Sequence, residues 1–167
     1  MTTSANTAYL AAFLLGLTLV FPNHGSAQQK VLPSQEEALK QLQGSWVCIA
    51  EEVGGKALTK DEIKVKNRRV TIAENKFNMS RVNNNSLGKW DGRIEVKPAK
   101  PFNEFNFYGK GHDGKYIERI GIYELQGDTF RLCYGSPSHK THPERPTKFE
   151  TEAGAGRELF VFKRDKE

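Results

Sequence analysis

Few residues in this chain have the types and spacing that chemistry requires. His139-Lys140-Thr141-His142 sets two imidazoles three positions apart, a spacing that metal sites use. A closed zinc site needs four ligands with outer support, and only Glu144 lies near them. The surrounding loop, Ser136 to Pro146, also carries Pro137 and Pro143 and offers no rigid frame, so no metal is expected. Glu51 and Glu52 are adjacent, which on a strand sends them to opposite sides and rules out a paired-carboxylate mechanism. Glu118 and Glu124 read as wet-face residues. No serine sits in a Gly-x-Ser-x-Gly elbow, and Gly154-Ala155-Gly156 leads into a strand and not into a helix whose N-terminus would hold phosphate. The expectation is a protein with no catalytic residue and no cofactor, and hence not an enzyme.

What the chain does position is a set of aromatic side chains, and these need a scaffold. Tyr9 to Phe21 is an uncharged apolar run followed by Pro22 and Gly25-Ser26-Ala27, the pattern of a signal peptide cleaved after Ala27. The run is too short to span a bilayer, which takes roughly 20 residues. The organisation expected is a signal peptide over 1–27, a linker over 28–33 and one domain over 34–167, exported to the periplasm or beyond the cell, with no stable membrane span after cleavage. About 140 residues then remain, enough to bury roughly two-thirds of the unfolded surface. The net charge of +5 stays with the mature chain and favours anionic partners, while export argues against nucleic acid. Lys64, Lys66, Arg68 and Arg69 alternate with Ile63 and Val65 and read as the wet face of a strand.

Ser34-Gln35-Glu36-Glu37 is a capping box that starts a short helix with an apolar edge of Ala38, Leu39 and Leu42, and Gly44 supplies a left-handed exit. After it the period becomes two. Trp46, Cys48 and Ala50 share one face of a first strand. Val70 with Ile72, Phe77 with Met79, Trp90 with Ile94 and Val96, and Phe105 with Phe107 mark the next four. Tyr116 to Leu125 and Phe130 to Tyr134 flank a reversal at Gly127-Asp128, and Glu158 to Arg164 is the eighth. Short strands joined by turns predict an all-β, eight-stranded antiparallel barrel with one short N-terminal helix. Cys48 should point inwards and Cys133 outwards, so the two thiols should stay free.

The helical turn leading into Gly44-Ser45-Trp46, with a basic residue late in the last strand at Arg164, resembles the lipocalin and calycin pattern. The segments "LQGSW", "GIYELQGDTFRLCYG", "RPTKFET" and "LFVFKR" together resemble a family of small, mostly secreted domains found as many paralogues in planctomycete bacteria. The likeness runs from Leu42 to Arg164 and implies a lipocalin-like fold. It brings no catalytic residues.

Two functions follow. In the first, the barrel binds a small apolar or amphipathic molecule, with Phe77, Trp90, Phe105, Phe107, Tyr123 and Tyr134 as the lining. In the second, the barrel is a filled scaffold whose surface and loops bind an envelope protein or an anionic polymer. Gly44, Trp46 and Arg164 are assigned to closing the barrel, with the last strand paired to the first and the Arg164 guanidinium over the indole.

Overall fold

The computed structural model describes residues 32–83, 86–111, 113–135 and 144–166. The apolar run, its cleavage point and the His139/His142 pair lie outside the described residues. Helix α1, Gln35–Leu42, begins on Ser34, whose hydroxyl accepts from the Glu37 amide while the Glu37 carboxylate accepts from the Ser34 amide at 2.7 Å. Ala38 and Leu42 are its buried edge. Gln43 caps the C-terminus with extended dihedrals, and Gly44 follows it with the positive φ expected of the exit. It is the first strand residue, at a φ of +108°.

Strand β1, Gly44–Val53, is followed by the two-residue β2, Lys56–Ala57, and by helix α2, Lys60–Lys66. Six long strands then succeed one another: β3 (Arg69–Ala73), β4 (Lys76–Asn83), β5 (Ser86–Lys97), β6 (Asn103–Lys110), β7 (Tyr116–Gln126) and β8 (Thr129–Gly135). The last, β9, is Arg157–Arg164. Every neighbouring pair is antiparallel, and β1 pairs with both β3 and β9, which closes eight strands into a barrel. The small β2 adds to the far half of β1. Closure removes the exposed edges that a β-sheet otherwise presents to other chains.

Helix α2 corrects the strand expected at Ile63–Arg69. Thr59 and Glu62 form a second capping box, and Asn67 ends the helix in the left-handed region at φ 38°. Two alternating apolar residues are too few to set a strand period against a complete cap at both ends. Val65 stands 71% exposed, and Arg68, read as part of a wet face, is buried.

A second correction concerns β1. Its register to β9 shifts between Cys48 and Ala50, a β-bulge that adds a residue to the strand. Ala50 therefore turns out to solvent, and Glu51, facing Phe160, is carried to the inner side.

Cys133 does alternate outwards against Leu132 and Tyr134, yet it is as buried as they are. The chain before β9 lies across this outer face. Arg145 bonds Asn106 Oδ1 at 2.9 Å and the Gly121 carbonyl, and Phe149 packs on Phe102 and under the Arg131 guanidinium. Both cysteines are free, and burial pushes each thiol up to about 11. A thiolate is the reactive form. Native protein at pH 8 should thus resist a thiol reagent, and denatured, unreduced protein should release two thiols per chain. Rapid native labelling of either would contradict the packing.

Candidate binding site

The inner side of the barrel divides into two chemistries along its axis. At the end carrying α1, the packing is apolar and sealed. Trp46 pairs with Arg164 across β1 and β9, and the guanidinium carbon stands 4.1 Å from the indole centre. Arg164 also donates to the Gln43 and Gln41 carbonyls at 2.6 and 2.9 Å, so one side chain holds the ring and caps the orphan carbonyls of α1. Gly44 leaves room for it, since a Cβ there would lie 3.2 Å from Arg164 Nη1. The indole nitrogen donates to the Leu42 carbonyl at 2.9 Å.

From Trp46 a chain of rings in contact fills the barrel. It runs through Phe130, Phe162, Phe160 and Tyr134 to Trp90, then through Phe107 and Phe77 to Phe105, with centroids 5.4 to 5.8 Å apart. Tyr123 joins at Phe130. Gly92 and Gly109 face each other between β5 and β6, and a Cβ on either would come within 3 Å of the Phe107 ring. These glycines let Phe107 lie flat and reach Trp90. Of the six lining residues expected, Phe77, Phe105, Phe107 and Tyr123 are thus sealed core, none more than 2% exposed. Tyr134 is buried as well but sits where the core meets a polar layer, and Trp90 is half-buried there.

That polar layer occupies the other end, the mouth, and most of it escaped the sequence. Glu51, brought inwards by the bulge, takes Arg68 in a two-point contact at 3.1 and 3.2 Å and Lys66 of α2 at 3.0 Å. Arg68 in turn lies 4.9 Å from the Phe160 ring centre. Tyr134 donates its hydroxyl to Glu158 at 3.2 Å. Arg119 follows the inward register of β7 opposite Phe107 and stands 5.0 Å from the Trp90 ring centre. Burial, then the Glu158 charge, pushes the Tyr134 hydroxyl well above its usual range, while Arg68 and Arg119 pull it back. The two guanidinium groups flank Tyr134 through its neighbours, Arg68 over Phe160 and Arg119 over Trp90, the two rings that Tyr134 touches. The signal for this layer was available in part: Arg119 and Glu158 occupy inward positions of strands whose alternation is plain.

Burial also pushes Tyr123 up to about 12. The sign is that of an acid kept neutral by the fold. Below pH 10 both states are protonated and nothing is lost; above it the unfolded chain ionises first, and stability falls as pH climbs towards the folded value. An absorbance titration should show Tyr123 and Tyr134 ionising only as the barrel unfolds. Ionisation of all tyrosines near pH 10 with the far-ultraviolet spectrum unchanged would contradict this.

Among the described residues no helix is long and apolar enough to cross a membrane. Compared with known proteins, the chain matches no family profile and no curated protein.

Proposed function

We propose that the chain is an exported, non-enzymatic, lipocalin-like binding domain that holds a small amphipathic molecule across the mouth of the barrel. The observation that carries this reading is the charged layer of Glu51, Arg68, Arg119 and Glu158 around Tyr134 and Trp90, inside a barrel otherwise packed with rings. Buried charges are costly, and an apolar layer would stabilise a mere scaffold as well or better. Such a layer over a filled core suits a ligand seated on top of the core and not threaded through it. The leader-like N-terminus supports export, and the motif likeness supports membership of the planctomycete domain family.

The filled interior also favours a second reading, a scaffold that binds through its outside. A groove of about 350 Å³ on β3, β4 and β5 carries Arg69, Thr71, Asn78, Ser80 and Lys89 and would suit an anionic polymer. Native mass spectrometry of the protein purified from its own envelope separates the two. A retained small molecule is expected, and a co-purified macromolecule with an empty barrel would favour the scaffold. Turnover of a chromogenic ester or phosphate, abolished by one polar substitution, would defeat both.

A further inference from the structure

The charges at the mouth are not balanced. Glu51 is consumed by Arg68 and Lys66, and Glu158 accepts from Tyr134. Arg119 has no carboxylate within 4 Å among the described residues. Its Nη1 donates to the Glu118 carbonyl at 2.9 Å, but its Nε is buried and has no hydrogen-bond partner among the described residues. Arg81, on an inward register opposite Gly88, likewise has no ion pair among the described residues. Buried donors in native proteins are almost always satisfied, and an orphan N–H calls for a group that completes it.

Resting on the mouth as the binding site, we infer that the Nε/Nη2 edge of Arg119 is the recognition point for the carboxylate of a small organic acid. That edge presents two parallel N–H donors, the fork that a planar carboxylate meets with both oxygens. Nη1 is already taken, so the side-on edge is the one left to a ligand. The unpaired charge of Arg119 disfavours a cation. A dianionic phosphate is disfavoured because Glu158 is held by Tyr134, which packs on the same Trp90 ring that Arg119 covers, and would repel a second negative charge. The rest of the acid has apolar surface to lie on in half-buried Trp90 and Ile117, both packed on the core. Nε is shielded in the unliganded barrel, so the carboxylate meets it as the Arg119 side chain shifts to receive it, the side-chain adjustment common on binding.

The test uses the full chain and three naphthalene probes of one shape, 1-naphthoate, 1-naphthyl phosphate and 1-naphthalenemethanol, titrated calorimetrically at pH 7. Naphthoate should bind at least tenfold more tightly than the alcohol and than the phosphate. Arg119→Lys, which keeps the charge but not the fork, should cost naphthoate at least tenfold and leave the alcohol unchanged. Equal affinity for naphthoate and alcohol would overturn carboxylate recognition while leaving the mouth as a binding site. Tighter binding of the phosphate would overturn the assigned class. Absence of binding by all three, with no molecule retained in native mass spectrometry, would remove the mouth reading as well. Should Arg119→Lys fail to fold, loss of the naphthoate preference in Arg119→Gln decides the same point.

Discussion

Trp46→Ala should leave the domain without a cooperative unfolding transition, while Arg164→Ala should leave it folded and weaker. Trp46 is fully buried, touches Phe130 at 5.5 Å between centroids and starts the ring chain that fills the barrel. Truncating a buried Trp costs roughly 3–5 kcal/mol. It also strips the Leu42 carbonyl of its donor at the C-terminal end of α1. An unsatisfied buried acceptor adds roughly 1–3 kcal/mol, against a total stability of roughly 5–15 kcal/mol for a domain. Arg164 contributes through its charge over the indole, roughly 0.5–2 kcal/mol, and through the Gln41 and Gln43 carbonyls, which water can still reach in part. Its ion pair with Asp128 at 3.4 Å is partly exposed and adds little. Urea unfolding followed by far-ultraviolet circular dichroism is the measurement. Trp46→Phe should fall between the two, keeping a ring but losing the donor. Equal damage from Arg164→Ala and Trp46→Ala would mean that carbonyl capping, and not the indole, holds this end together.

The strands were legible because each of their faces has one environment. Val70 and Ile72, and Ile94 and Val96, alternate with solvent-facing partners, and period-two alternation registers that contrast directly. Three features resisted for physical reasons. The α2 segment is short, has no buried residue and so leaves no apolar stripe; only its Thr59–Glu62 cap betrays it. The bulge after Cys48 is a backbone event with no glycine to mark it, yet it decides whether Ala50 or Glu51 faces in. Cys133 is buried beneath the chain at Glu150, a covering from a segment outside its own strand pairing and invisible to local periodicity. The closing contact of Trp46 with Arg164 was readable because both lie at the ends of the domain, where pairing of the last strand with the first leaves few choices. The mouth was not, because it depends on the bulge, the helix and the long-range placement of Arg68 over Phe160 and Arg119 over Trp90 together.

Glu51→Ala is expected to be the most damaging polar substitution in the barrel. Its side chain is 2% exposed, and among the described residues it is the one acidic partner of Arg68, which is itself 5% exposed at the side chain. Removing one member of a buried pair strands the other charge, at a cost of roughly 3–5 kcal/mol. The converse substitution, Arg68→Met, should be milder, because Lys66 remains at 3.0 Å to hold Glu51, and a methionine replaces much of the stem that packs near Phe160. Replacing both, Glu51→Leu with Arg68→Met, should recover most of the loss, since well-packed apolar residues commonly match or exceed a buried ion pair. A double-mutant cycle of Glu51→Leu, Arg68→Met and their combination, measured in urea beside Glu51→Ala, resolves these effects, because contacting residues couple strongly and distant ones do not. The double variant also frees Lys66, the side chain by which α2 is tied to β1, so faster amide exchange over Lys60–Lys66 should accompany the recovered stability. A Glu51→Ala cost below about 1 kcal/mol, the scale of exposed pairs, would mean that water reaches this layer freely and that the mouth is a solvated rim.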